Sequence, residues 1–285
     1  MNFKTRRRVL GALLAAPWIF KAHAAESNVI RIGISPVFLG DQVLLLDALH
    51  DYLNQRLQMP AQFFRPGSYA VAVNMLMQNQ LDFAWIGGYA YALNRRHLNL
   101  VVTPQYQNEP RCRSCIIVGA HLPQIKRLAD LKGGTFAYDD PLSDSGFLIP
   151  RAEILDLKEN PDTFFRRSFF ARAQHKVADA VSVGLADGGA VADYLWGTLV
   201  KKQPKIAEKA RVIWRSKPYA FPPIVARRNL ADRQVQMFRS VLLRMNTDVA
   251  GRHLLGQFDL NGFVHANDGL YDETAQLHQR VMPIK

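Results

Sequence analysis

Tyr138-Asp-Asp-Pro-Leu-Ser-Asp-Ser-Gly-Phe-Leu-Ile-Pro150 is the stretch on which the reading of this chain turns. It follows the strand-like run Thr135-Phe-Ala-Tyr138 and opens a helical pattern from about Phe147 to Leu157. Two hydroxyls, Ser143 and Ser145, lie with Gly146 and a set of backbone N–H groups at a helix start. The first N–H groups of a helix have no partner within it and the helix dipole is positive there, so an anion is well received. The same residues also serve as a plain N-cap, through Asp144 or Ser145, with no ligand involved. Asp144 opposes a fully anionic ligand unless its carboxylate caps the helix and points away. Asp139-Asp140, placed before Pro141, reads as turn chemistry.

On both sides of this stretch, strand-like and helix-like segments alternate. Val29–Ile34 is a β-branched run, and Val43–Leu57 carries Leu45, Leu46, Leu49, Leu53 and Leu57 on one helical face, with Pro60 as its stop. Strands are expected at Ala61–Phe64, Leu81–Ile86, Leu100–Thr103, Cys115–Val118 and Thr135–Tyr138, with helices over Tyr69–Gln78 and Tyr89–Arg96 between them. Further helices are expected over His175–Ala186 and Tyr194–Lys202. Short apolar runs at Ala190–Ala192, Val212–Trp214 and Ile224–Ala226 intervene, and from Leu230 the chain reads as largely helical. Such alternation predicts an α/β protein with largely parallel sheets covered by helices. There is no internal repeat and no low-complexity linker, so two lobes would be joined by crossing strands rather than by a tether.

The 285 residues carry 36 Lys+Arg against 24 Asp+Glu, a formal charge of +12, and 48% are hydrophobic. That excludes disorder and low-complexity fibres, and two cysteines exclude a disulfide-dense scaffold. The basic head Met1–Leu10, the apolar run Gly11–Phe20 and Ala22-His23-Ala24 have the form of a cleaved secretory signal peptide ending near Ala24. Thr5-Arg6-Arg7-Arg8-Val9-Leu10 resembles the twin-arginine export signal, the alternative being an ordinary secretory signal with an extra arginine. Loss of residues 1–24 removes five basic residues and no acidic one, so the charge drops to +7. A periplasmic location is expected. Arg166-Arg167, Lys201-Lys202 and Arg227-Arg228 are isolated pairs that read as solvated faces, so no nucleic-acid partner is expected. No Walker A loop, G-x-G-x-x-G or H-E-x-x-H occurs, and the eight histidines are scattered, so neither a cofactor nor a metal is expected.

Asp-Pro-x-Ser-x-Ser-Gly-Phe-Leu-x-Pro, over Asp140–Pro150, resembles the signature of the phosphonate, phosphite and phosphate solute-binding proteins of ABC importers. Other stretches agree in order: Arg65–Tyr69, Leu81–Gly88, Ile125–Phe136, Gln174-His175, Asp187–Val191, Arg211–Ser216, and Gly262-Phe263 with Tyr271. The likeness covers nearly all of residues 29–275. It implies a type II periplasmic binding fold of two α/β lobes joined by two crossing hinge strands, closing on a ligand in the cleft. It places residues 25–113 and 223–285 in the first lobe and residues 114–222 in the second. The crossings would run through Ser114–Val118 and Pro223–Ala226. Tyr69, Ser143, Ser145 and His175 match ligand-contacting positions, and Trp85 and Tyr89 stand near the cleft wall. The implied protein is not an enzyme: it is a monomer that takes a small oxyanion and hands it to an ABC permease.

Three departures bear on the ligand. Asp144 stands where phosphonate binders carry threonine. Leu195 and Pro222 stand where the aminophosphonate receptor carries acids, with Asp193 nearby in sequence. Cys112 aligns with an aromatic cleft residue. Cys112 and Cys115, three apart in a strand, point to opposite faces, which disfavours a disulfide between them and leaves Cys115 as buried packing. Arg111 and Arg113 beside Cys112 favour its thiolate. Inert packing competes with two other roles for it. One is an arsenite ligand in a sensor that signals to a membrane histidine kinase, since a thiolate suits a thiophilic centre. The other is a thiol nucleophile with His175 as its base.

Overall fold

A computed structural model describes residues 29–34, 43–265 and 267–282. The export segment expected over residues 1–24 lies outside the described residues. In chain order the elements begin with β1 (Ile30–Ile34), α1 (Val43–Leu57), β2 (Ala61–Phe64), α2 (Tyr69–Met77), β3 (Phe83–Trp85), α3 (Gly88–Asn94) and β4 (Leu98–Gln105). There follow β5 (Arg111–Cys112), β6 (Ser114–Gly119), β7 (Thr135–Tyr138), α4 (Ile149–Asp156), β8 (Arg167–Phe170), α5 (Gln174–Ser182) and β9 (Gly188–Ala192). The chain continues through α6 (Asp193–Lys202), α7 (Pro204–Lys209), β10 (Ala210–Arg215), β11 (Tyr219–Ala220) and β12 (Ile224–Arg227). It ends with α8 (Asp232–Leu243), α9 (Val249–Gln257), β13 (Gly262–His265) and α10 (Asp272–Val281).

The strands form two main sheets, six-stranded β13-β4-β12-β3-β1-β2 and five-stranded β10-β6-β9-β7-β8. Both are mixed rather than largely parallel. In the first, β1 is parallel to β2 and β3, while β12 runs antiparallel to β3 and β4, and β13 antiparallel to β4. In the second, β7 is parallel to β8 and β9, whereas β6 is antiparallel to both β9 and β10. The reversal has a topological cause. β6 and β12 are the first strands laid down after each passage between sheets, and each enters its sheet against the direction of its neighbours.

The passages lie just ahead of the strands expected to make them. Ser114–Val118 and Ile224–Ala226 are strands inside the sheets. Between the sheets, β5 and β11 pair as an antiparallel ribbon of two residues each, Cys112 opposite Tyr219 and Arg111 opposite Ala220. The chain thus goes over between Gln105 and Ser114 and comes back between Arg215 and Ile224.

Burial follows the sequence pattern. The leucines at 45, 46, 49, 53 and 57 put one face of α1 into the first core with Ile30, Ile32 and Phe238. β6, apolar along its centre, is buried at every position and separates two smaller cores on the faces of the second sheet. At one end of the inner strands of the first sheet, the Asp82 carboxylate receives Arg31 Nη2 at 2.8 Å and Arg227 Nε at 3.0 Å, tying β1 to β12. Among the described residues no helix is long and apolar enough to cross a membrane.

Candidate ligand seat between the sheets

The loop from Asp139 to Ser145 leaves the C-terminal end of β7 and reaches toward the first sheet. Its helix start is capped by Ser143 and not by Asp144 or Ser145, because Ser143 Oγ accepts the Gly146 N–H at 3.0 Å and donates to Asp139 Oδ2 at 3.0 Å. Residues 144–148 form a π turn before α4. Gly146 is required there: a Cβ would lie 1.9 Å from Asp139 Oδ1. The N–H groups expected to await an anion are therefore partly taken by the chain's own side chains. The Asp140 N–H donates to Asp139 Oδ1 at 2.6 Å, and Leu142 N–H to Asp140 Oδ1 at 2.8 Å, the second being the expected turn contact.

With its own helix capped by Ser143, Asp144 reaches over. Its Oδ2 accepts the Tyr89 N–H at 2.7 Å and its Oδ1 the Thr274 hydroxyl at 3.2 Å, and the Gly88 N–H is a further donor. Asp140 Oδ2 does the same at α2, accepting the Tyr69 N–H at 3.3 Å. Two carboxylates of one loop thus sit on the heads of two helices beside the first sheet. Burial pushes the Asp144 carboxyl up to about 7, against the opposing pull of the Tyr89 N–H and Thr274. Asp139, held by the Asp140 N–H, Ser143 and Gln174, is likewise pushed to about 7. The groups that hold both are neutral, so no fixed positive charge offsets burial.

Around Asp144 stands a ring of buried polar groups. Tyr69, Tyr194, Tyr219 and Tyr271 are all buried and all feel the Asp144 charge. Tyr271 donates to the Phe221 carbonyl at 3.0 Å. Tyr219 is hydrogen-bonded to both Cys112 and Ser145. Ser145 Oγ accepts from Gln174 Nε2 at 3.1 Å, while Gln174 Oε1 accepts the Ala192 N–H at 2.6 Å. The Tyr194 hydroxyl is buried among Cys112, Asp139 and Asp144 without a hydrogen-bond partner. A buried hydroxyl without a protein partner incurs a desolvation penalty, so this one is open to an oxygen of a ligand or of water.

The structure thus brings Tyr69, Cys112, Ser143, Asp144 and Ser145 together. Tyr89 joins through its backbone only, since its phenol bonds His278 Nδ1 at 2.7 Å on α10. Trp85 donates to the Pro222 carbonyl at 3.0 Å and lines a crevice with Tyr194 and Phe258. His175 is half-buried at the head of α5. Asp193 opens α6, its Oδ1 accepting the Arg113 and Tyr194 N–H groups at 3.0 and 2.9 Å. Tyr194, Tyr219, Tyr271, Gln174 and Thr274 went unnoticed in the sequence as site residues. The Gln174-His175 pair and the closing Gly262-Phe263 with Tyr271 were the signals that pointed toward two of them.

Cys112 departs from the thiolate expected of it. Its thiol is buried and pushed well above the ordinary value, because loss of solvent outweighs the hydrogen bond from Tyr219. The neighbouring guanidinium of Arg113 is turned away, donating to the Ser216 carbonyl at 2.7 Å. Cys112 and Cys115 pack in different cores, as opposite strand faces require, and both are free thiols.

Comparison with known proteins adds to this geometry. The family described as "ABC transporter, phosphonate, periplasmic substrate-binding protein" matches residues 32–271. The phosphonates-binding periplasmic protein of Escherichia coli K12 is 30% identical over 178 residues, 60% of this chain and 52% of that protein. The match therefore spans about half the length of that relative. A binding protein component of an ABC phosphonate transporter from Pseudomonas aeruginosa superposes with a TM-score of 0.82 at 23% identity, covering 89% of this chain and 86% of that one. A protein from Prochlorococcus marinus in complex with methylphosphonate gives 0.81 at 20% identity, covering 90% and 99%. The two structures share the type II periplasmic binding fold with this chain.

Proposed function

Because this chain belongs to the family of periplasmic substrate-binding proteins of ABC phosphonate transporters, we propose that it clamps a small oxyanion or oxyacid of the phosphonate, phosphite or phosphate class and delivers it to an ABC permease. The observation that carries this reading is the buried seat in which Ser145, Tyr219, Gln174 and the unpartnered Tyr194 hydroxyl converge between the two sheets. These are neutral hydrogen-bond donors in a dry site, suited to oxygen atoms of a small acid. The role is that of a receptor and involves no chemical step. The part of the chain lying outside residues 32–271 includes the expected export signal, which fits secretion to the periplasm.

Calorimetry with methylphosphonate, phosphite, phosphate, sulfate and arsenite tests it. Saturable binding is expected for at least one of the phosphorus acids. Tyr194→Phe should weaken that binding roughly tenfold, the value of one buried hydrogen bond. Absence of binding to every compound would overturn the reading.

A second reading gives the same seat to arsenite and the partner role to a membrane histidine kinase. The position of Cys112, beside Tyr219 in the seat, favours it. The protonated thiol would form an S–As bond as one As–OH bond breaks, the thiol proton leaving on that hydroxide as water. Cys112→Ser should then abolish arsenite-induced thermal stabilisation while Cys115→Ser preserves it.

A further inference from the structure

The last helix, α10, belongs to both halves of the molecule. It follows β13 of the first sheet through the turn Asp268–Tyr271, which Tyr271 roots in the first core. That side chain is fully buried, and its hydroxyl donates to the Phe221 carbonyl at 3.0 Å and lies 3.1 Å from Thr103 Oγ1. Two further ties join α10 to α3 and the turn after it. Arg95 Nη1 donates to Asp272 Oδ1 at 2.6 Å, and the Tyr89 phenol meets His278 Nδ1 at 2.7 Å. Ala275, four residues from Tyr271 and three from His278, shares their stripe of the helix and packs against the first core.

Thr274, Leu277 and Val281 form a second stripe beside it. Val281 is buried in the second core, and Leu277 packs against that core. The Thr274 hydroxyl donates to Asp144 Oδ1 at 3.2 Å. Next to Val281, Arg280 Nη2 donates to the Ala152 carbonyl at 2.9 Å and to Asp156 Oδ1 at 2.8 Å, both on α4. The two sides are unequal. The first is held by a buried tyrosine and by continuity of the chain with β13. The second ends in an ion pair whose side chains are 47% and 60% exposed, and a pair so exposed is weak enough to break and form again.

We propose that α10 is a clasp: it stays with the first sheet and holds the second against it through Leu277, Arg280 and Val281, with or without a ligand. When the sheets part, the second stripe lets go. Its grip sets the fraction of molecules in which the seat is assembled, and apparent affinity scales with that fraction. Arg280 is thus a positioning residue, acting on binding from outside the seat. The effect on affinity rests on the receptor reading given above; the clasp itself does not.

Small-angle X-ray scattering of the ligand-free protein tests it, with Arg280→Ala and Val281→Ala combined in one variant. Far-UV circular dichroism should match that of the wild type, while the radius of gyration rises above the wild-type value. Calorimetry should then show methylphosphonate bound about tenfold more weakly by the variant, although the seat is untouched. Equal radii in the folded variant, or equal affinities, would overturn the proposal. Should the double substitution prevent folding, Asp156→Ala removes the ion pair from its more exposed end. It should enlarge the ligand-free protein in the same sense, and an unchanged radius would overturn the proposal. If the wild type binds no methylphosphonate, phosphite or phosphate, the receptor reading fails and the scattering comparison still decides the clasp.

Discussion

The Asp144 carboxylate accepts the backbone N–H of Tyr89 at 2.7 Å, fastening a loop of the second sheet to a helix of the first. The bond is buried, and it is charge-assisted whenever the carboxyl is ionised, which makes it stronger than a neutral bond. Its strength therefore varies with pH across the range where a periplasmic protein works.

Stability should report this directly. The folded-state value for Asp144 is about 7, above the ordinary 3.8, so the folded protein holds this proton more tightly than the unfolded chain does. Its contribution is complete below about pH 4 and is lost as pH rises through about 7, a change on the order of a few kcal/mol. Asp144→Asn should remove this share and flatten the slope of urea-denaturation stability over that window. Asp139 titrates in the same range and should leave a residual slope.

Asp82 should behave with the opposite sign. Its hydrogen bonds from Arg31 and Arg227 hold its carboxyl below the ordinary value despite burial. The stabilisation is present above about pH 4 and is lost as pH falls through the depressed value. Asp82→Ala strands two guanidiniums at the end of the inner strands and should cost about 3 kcal/mol by chemical denaturation at neutral pH.

Gly146→Ala should be far more damaging than an alanine in a helical turn ordinarily is. The added carbon would lie 1.9 Å from Asp139 Oδ1, and that carboxylate is itself fixed by Ser143 and the Asp140 N–H. A loss of about 2–3 kcal/mol is expected from the forced displacement, seen as a lowered midpoint in thermal unfolding. Affinity for the ligand should fall with it, because Ser145 moves with the turn.

Neither thiol should react readily in the native protein. Burial raises Cys112 well above the ordinary range and Cys115 to about 12. Titration with a colourimetric disulfide reagent at pH 8 should release almost no colour from folded protein and about two equivalents in denaturant. A fast native phase lost in Cys112→Ser would show that the seat opens to solvent on that timescale.

Much of the fold was written locally. Val43–Leu57, Ala61–Phe64 and Thr135–Tyr138 are where the apolar spacing puts them, since period and breaker act within a few residues. β8 and β13 were not legible. Arg167–Phe170 is an exposed edge with weak alternation, and Gly262–His265 is a short run inside a helix-rich tail. The mixed strand directions were hidden because direction is a property of the path between sheets. The site divides in the same way. Ser143 and Ser145 were legible from their place before a helix. The bond of Ser145 to Gln174, and the reach of Asp144 to Tyr89 and Thr274, join residues 29, 55 and 130 positions apart and leave no local pattern.

The two-residue ribbon has a mechanical consequence. Two passages of the chain between the sheets are paired at Cys112–Tyr219 and Arg111–Ala220, and beyond β13 the chain reaches the second sheet's core again through Val281 of α10. Any swing of one sheet against the other must twist this pair of rungs. Tyr219 and Cys112 are also walls of the seat, bonded to each other and, through Tyr219, to Ser145. The axle and the load-sensing surface are thus one object. On the receptor role proposed above, a ligand that tilted the Tyr219 ring would turn the joint itself.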